Sequence, residues 1–414
     1  MRFSSTAAVL AATVATVVAE DKYLGFNSGA TNDQGKVKTL EDFKTEFKSQ
    51  QELKGAPGKF NAVRLYTNIK PGSEDSPEPI EAIPAAIETN TKMLLGMWAS
   101  GTTNVDKELA ALNKAIEKHG KKFTDLVVGI SVGSEDLYRI SVDGIANKAG
   151  VGADIDVLTK FVKDTRDSLK DTDLKNTPIG HVDTWNVWDN GTVASFIKEV
   201  DFLGVDLYPY YENGKNIPME GGNDIKNAFP LFQTAMNATL KAAGDKPVWI
   251  TETGWPVTGE KWEQAQPSKE NAQEFWRQVG CYYFGKVNTF WYIQKDSNPD
   301  NKMKFGLAPE LNGEPLFDLS CPDDIKRPTN GGTVKGGNNG NNSTSGGNST
   351  SGGNSTSSGN STGPGSNAPN GGSAGPNAGS NPSAPVNSNA GSFVKTNAAA
   401  LALSMVFAVA AWAL

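Results

Sequence analysis

Residues Val248–Pro256 read VWITETGWP. The β-branched and aromatic run Val248-Trp249-Ile250-Thr251 predicts a strand, and Gly254 and Pro256 stop it, so Glu252 is delivered to the strand's carboxyl end. A carboxylate at the end of a buried strand is costly unless it has a partner or a chemical task. A second segment repeats the arrangement: VVGISVGSED carries an apolar strand, Val127 to Val132, that ends in Gly133-Ser134-Glu135. A lone glutamate at a strand end is more often solvated or ion-paired. Two strands that each present one at the carboxyl end make a geometry for paired-carboxylate chemistry.

Outward from these two strands the pattern repeats. Apolar segments occur at Tyr23 to Asn27, Ala62 to Thr67, Met93 to Ala99, Leu126 to Val132, Ile179 to Thr184, Phe202 to Leu207, Val248 to Thr251 and Thr289 to Ile293. Between them lie charged stretches with helical spacing, such as Val105 to His119, Asp156 to Leu169 and Asn271 to Val279. Eight alternations of strand and helix specify a (β/α)8 barrel better than an open sheet. No glycine fingerprint for a phosphate or dinucleotide follows any of the strands.

Composition bounds the domain. Near Pro328 the chain turns to Gly, Asn, Ser and Thr with almost no large apolar residues, a segment that cannot bury enough surface to offset its ordering entropy. The expected organisation is a signal peptide over 1–19, a barrel over 20–325, a disordered Ser/Thr/Asn/Gly-rich tail over 326–389 and an apolar terminus over 390–414. Met1-Arg2 followed by the apolar run Ala7 to Val18 reads as a secretory signal too short to span a membrane. At the other end, Asn389-Ala390-Gly391, a polar spacer and the apolar Ala398–Leu414 follow the order of a GPI-attachment signal, with Asn389 as the expected attachment residue; a C-terminal transmembrane helix is the alternative.

The whole chain has 39 Lys and Arg against 46 Asp and Glu; five of the basic residues, Arg2, Lys326, Arg327, Lys335 and Lys395, lie outside the barrel, which leaves 34 there and a net charge of −12. That balance excludes a phosphate-backbone partner, so no nucleic acid is expected. The two cysteines, Cys281 and Cys321, both fall in the barrel of an exported chain. They are expected to form a disulfide worth roughly 4 kcal/mol, with two buried thiols as the alternative. No His or Cys cluster is present to hold a metal, and no cofactor is expected. Asn342, Asn348, Asn354 and Asn360 recur every six residues, each followed by Ser-Thr, and with Asn190 and Asn237 in the barrel they are candidate N-glycosylation sites. The stalk between barrel and terminus reads either as a glycan-extended tether or as plain low-complexity chain.

The predicted carboxyl ends of the strands are rich in polar and aromatic groups: Arg64 and Tyr66, Trp98, His181, Asp183, Asp206, Tyr208, Trp255, Trp291 and Tyr292. In a barrel these ends share one face, and rings beside carboxylates suit a carbohydrate. Arg64, Tyr66 and Tyr208 are expected to hold Glu252 ionised. Asp136 is expected to turn away from Glu135 by alternation, His181 to contact substrate or serve the structure, and Trp249 to fill the core.

The ordered set GFNSG, RLYT, LLGMWASG, VVGISVGSED, DLYPYY, VWITETGWP and NTFWY resembles glycoside hydrolase family 17, the endo-1,3-β-glucanases, and among these the fungal GPI-anchored wall enzymes. The resemblance covers about residues 20 to 322. It implies a (β/α)8 fold, retaining hydrolysis of β-1,3-glucan, Glu135 as acid/base and Glu252 as nucleophile. Many relatives carry Asn before the acid/base where this chain has Ser134, which bears on how substrate is positioned and not on the class of reaction. The expected protein is a monomer at the cell wall and plasma membrane. A glucanosyltransferase using the same glutamates is the alternative, and a non-catalytic glucan-binding wall mannoprotein is a reading from a different class.

Overall fold

The computed structural model describes residues 22–212 and 217–322. Eight strands, β1 Leu24–Ser28, β2 Ala62–Leu65, β3 Lys92–Met97, β4 Val127–Ser134, β5 Ile179–Thr184, β6 Phe202–Asp206, β7 Val248–Glu252 and β8 Thr289–Trp291, pair in sequence order into a closed barrel. Every pairing is parallel, and β8 returns to β1 through Gly25 opposite Phe290. The (β/α)8 expectation holds. The differences are at element ends: β8 stops at Trp291, and the helix expected over Asn271–Val279 is Lys269–Phe275 continued by a wider turn over Trp276–Gly280.

Alternation along the strands sorts side chains into two cores. Ala62, Leu94, Phe202, Trp249 and Phe290 point inward and plug the barrel, with the Trp249 ring stacked on Phe202 at 4.2 Å. Trp249 is therefore core. The residues one position along, such as Val63, Leu95, Leu203, Ile250 and Trp291, point outward and pack under the helices. Those helices start where their sequences cap them: Thr39 and Asp42 close a capping box on Leu40–Gln51, and the Asp154 side chain accepts from Val157 N–H at the start of Ile155–Leu169.

The Cys281–Cys321 disulfide is present and ties the last described turn to the segment before β8. No helix among the described residues is long and apolar enough to cross a membrane. The apolar ends, Asn342, Asn348, Asn354, Asn360 and Asn389 lie outside the described residues. Asn190 and Asn237 are both exposed.

Candidate active site

Glu135 and Glu252 stand at the carboxyl ends of β4 and β7, both buried, in opposite surroundings. Three donors converge on Glu252. Arg64 Nη1 donates to Oε1 at 2.6 Å, Tyr66 Oη to the same oxygen at 2.7 Å, and Tyr208 Oη to Oε2 at 2.8 Å. All three donors expected from the sequence are in place. Arg64 itself is held by Asn27 Oδ1 at 2.9 Å and by Ser134 Oγ at 2.9 Å, so one guanidinium spans the ends of β1, β4 and β7. Burial works against its charge, but the charges of Asp206 and Glu252 outweigh burial and raise its pKa.

The Glu135 carboxyl accepts no hydrogen bond among the described residues. Burial, then the charge of Glu252, push it up to about 8; Arg139, 3.8 Å away, pulls the other way and is outweighed. A carboxyl kept protonated near neutral pH beside one ringed by donors is the environment split of an acid and a nucleophile.

The backbone that presents Glu135 is unusual. Glu135 has φ +57°, in the left-handed region that costs a non-glycine residue roughly 1 kcal/mol. Gly133, at φ +85°, leaves no room for a side chain, since a Cβ there would lie 2.3 Å from Asp136 Oδ2 and 3.0 Å from the His181 ring. Hydrogen bonds over-determine this turn. Glu135 N–H donates to Val182 O at 2.8 Å, and Ser134 N–H to Asp136 Oδ2 at 2.8 Å, while Ser100 Oγ holds the other Asp136 oxygen at 2.6 Å. Asp183 accepts from the amides of Leu137 and Tyr138 at 3.0 and 3.3 Å. His181 sits between Val132 O at 2.6 Å and Asp183 Oδ2 at 3.1 Å. Both ring nitrogens face acceptors, an arrangement that suits the imidazolium; burial opposes that charge, and the Asp183 bond and carboxylate overcome it and raise the pKa.

Four expected substrate contacts are placed elsewhere. His181 and Asp183 share the outward face of β5 and are fully buried, with His181 edge-on to Trp188 and Phe196 of the helical layer. They brace the Glu135 turn from behind. Trp291 also faces out, packed on Trp276 and Phe275. Trp255 is buried against Tyr210, its indole N–H donating to Gln266 O at 2.9 Å. Alternation is the cause: on β5 and β8 the side chains that face the barrel axis are one residue away. Tyr66 and Trp98 do meet, as a small cluster of their own, with Arg139 5.5 Å from the Trp98 ring. Asp136 is an acceptor inside the turn, and burial raises its pKa.

Two groups expected at the strand ends, but given no role of their own, belong to the site. Tyr292, on the same inward parity as Phe290, packs edge-on to Tyr208 at 6.3 Å, and burial and Glu252 raise its pKa. Asp206, in the quoted DLYPYY, lies opposite Glu252 on β6; Thr251 Oγ1 donates to its Oδ1 at 2.7 Å, and burial and then Glu252 hold its pKa well above the usual range. Parity along NTFWY assigns Tyr292, and not Trp291, to the inner face.

A parallel barrel with two differentiated glutamates on its carboxyl-terminal face defines a glycoside hydrolase. The model of the BtgE/BtgC glycoside hydrolase domain matches residues 25–307, and the chain belongs to that family. It is 46% identical over 320 residues to the probable glucan endo-1,3-beta-glucosidase eglC of Aspergillus oryzae, covering 77% of this chain and 67% of that protein. For the Aspergillus terreus protein of the same name the identity is 47%, covering 76% of this chain and 63% of the relative, so the chain spans about two thirds of these relatives' length. Among solved structures it is similar to a glycoside hydrolase family 17 beta-1,3-glucanosyltransferase from Rhizomucor miehei, with TM-score 0.54, 22% identity, and coverage of 72% of this chain and 98% of that one. At that identity the likeness speaks to the fold.

Proposed function

We propose that the protein is an exported endo-1,3-β-glucanase that cuts internal β-1,3-glucosidic bonds with retention of configuration. Supporting the substrate are the names of the relatives at 46 and 47% identity. Supporting the mechanism is one observation above the others: three donors grip Glu252 while none among the described residues reaches the buried carboxyl of Glu135. In the first step Glu252 attacks the anomeric carbon as the Glu135 proton passes to the leaving oxygen, giving a glycosyl ester on Glu252. In the second step Glu135, now a carboxylate, takes a proton from water, whose oxygen displaces Glu252. Tyr66, Trp98, Tyr208 and Tyr292 supply ring faces beside the two carboxyls. Export and a GPI tether to the plasma membrane and wall are part of the same proposal, supported by the apolar ends of the sequence.

The test is the product profile on a reduced laminari-oligosaccharide, beside Glu252→Gln. Shorter products only, with the β-anomer formed first and none in the variant, are expected. Products longer than the substrate would show that a second glucan resolves the intermediate and make the enzyme a transferase. No turnover of any β-1,3-glucan by the wild type would leave a binding protein.

A further inference from the structure

A cavity of about 970 Å³ opens beside the glutamates and not over them, between the segment after β4 and the segment after β5. Neither Glu135 nor Glu252 lines it. Its apolar wall comes from Leu137, Ile140, Val142, Ile155, Val193 and the half-buried ring of Trp185. Val142 is 85% exposed and Ile140 44%, and with Ile145 and Val151, each 67%, they make four of the five large apolar side chains standing in solvent among the described residues. Such a concentration on one segment calls for a covering partner.

The cavity's polar lining says what that partner is. Asp143, Asp154, Asp156 and Asp189 line it and no Lys or Arg does, which disfavours an anion and suits a neutral ligand rich in hydroxyl and amide donors. Trp185 offers a ring held in orientation by its indole N–H, which donates to Glu212 Oε1 at 2.5 Å. A pyranose puts C–H groups against such a ring and against valine and isoleucine, while its hydroxyls reach the carboxylates.

Asn190 and Thr192 are themselves part of the wall, and they are the first and third residues of the acceptor triplet Asn190-Gly191-Thr192. Both are exposed. Asn190 Oδ1 accepts from Thr192 N–H at 3.1 Å, while Nδ2, the atom that carries a glycan, makes no hydrogen bond among the described residues. Gly191 has open space around it. We propose that an N-linked glycan on Asn190 folds back into this cavity and covers the exposed apolar segment 140–146. Attachment forms the bond from Nδ2 to the anomeric carbon of a lipid-pyrophosphate-linked oligosaccharide; the anomeric C–O bond breaks, the lipid pyrophosphate leaves, and Nδ2 gives up one proton. Tethering at the cavity's own rim raises the local sugar concentration, so weak contacts to Trp185 and Val142 suffice.

The inference rests on export, a component of the function proposed above, and its test keeps the two separable. The full chain is secreted from a eukaryotic host; glycan occupancy is read peptide by peptide by mass spectrometry, with Asn237 as an internal control for export, and hydrogen exchange is measured over 140–146. The comparison is with Thr192→Ala, which removes the acceptor triplet and keeps the Asn190 cap, and with Thr192→Ser, which keeps the triplet. Asn190 should carry a glycan in the wild type and in Thr192→Ser, and amides of 140–146 should exchange at least tenfold faster in Thr192→Ala, with β-glucan cleavage unchanged in all three. An unmodified Asn190 in a chain modified at Asn237 overturns the inference and leaves the glucanase standing. So does an occupied Asn190 with unchanged exchange. Protection of 140–146 by added laminarihexaose and not by the glycan assigns the cavity to substrate and also overturns it.

Discussion

The carboxyl end of β7 and the carboxyl end of β4 each display one buried glutamate, and the barrel treats them in opposite ways. At β7 the side chain is over-determined: a guanidinium and two phenol hydroxyls fix Glu252, just where the pairing of β6 with β7 slips by one residue past Ile250. At β4 the backbone is over-determined: Glu135 sits in a left-handed turn locked by Ser100, Asp136, His181 and Asp183, and its carboxyl is left without a hydrogen bond among the described residues. A nucleophile needs its charge kept and its oxygen aimed. A proton donor needs its proton kept and its position held by something other than donors to the carboxyl. On the proposed mechanism the two roles come from where the constraints are placed, because the side chains are the same.

The largest effects are expected when each glutamate is neutralised in turn. Glu252→Gln should lower kcat by about 10⁴-fold or more on every substrate. Glu135→Gln should do the same on laminarin yet retain most of the first step on an aryl β-glucoside of laminaribiose, whose leaving group needs no proton. Pre-steady-state release of the phenol measures this, and equal losses for both variants on the aryl substrate would show that the roles are not divided.

Next in size is Arg64, the charge that makes the β7 end possible. Arg64→Met leaves Glu252 and Asp206 buried together without a cation, and removing one partner of a buried pair costs roughly 3–5 kcal/mol. Thermal unfolding should register that loss, and kcat/KM should fall roughly 10²- to 10³-fold, as removal of one preorganised charge does elsewhere. A variant as stable as the wild type would mean that Asp206 and the tyrosines hold Glu252 without it.

The sequence displayed the β7 end almost whole and the β4 end hardly at all. Arg64 and Tyr66 were legible because residues two apart share a face along β2 and its continuation, and Glu252 and Tyr208 because each follows an apolar run that reads as a strand; the register slip at Thr251 that brings Glu252 to the inner face was not legible. The eight strands were legible as runs of that kind. The brace behind Glu135 was not, because it depends on Gly133 and Glu135 leaving the strand's regular backbone, which shifts the β4 to β5 register between Ser131 and Ser134. His181 and Asp183 therefore looked like groove residues when parity places them behind the wall. Trp291 failed in the same way by one position, standing as the expected substrate contact in place of its neighbour Tyr292. Trp255 lies past the end of β7, where strand parity no longer assigns a face.

The finest test acts on the proton held by Glu135. Its pKa of about 8 is set mainly by burial and by Glu252, with Arg139 opposing them. On the proposed mechanism Glu135 must start protonated, so kcat/KM should fall on the alkaline side with an apparent pKa near that value, a property of the coupled pair. Removing the opposing cation in Arg139→Met favours the protonated carboxyl, so this limb should move to higher pH, by less than about one unit, while the rate below pH 6 changes little. Stability carries the same sign. A carboxyl whose folded pKa is raised stabilises the fold fully below its unfolded value of 4.5 and loses that contribution as pH rises through 8. Melting temperatures followed from pH 5 to 9 should therefore decline less steeply in Glu135→Gln than in the wild type. A limb that moves to lower pH in Arg139→Met would mean that Arg139 serves to keep Glu135 protonated, and the division of labour between the two ends of the site would have to be redrawn.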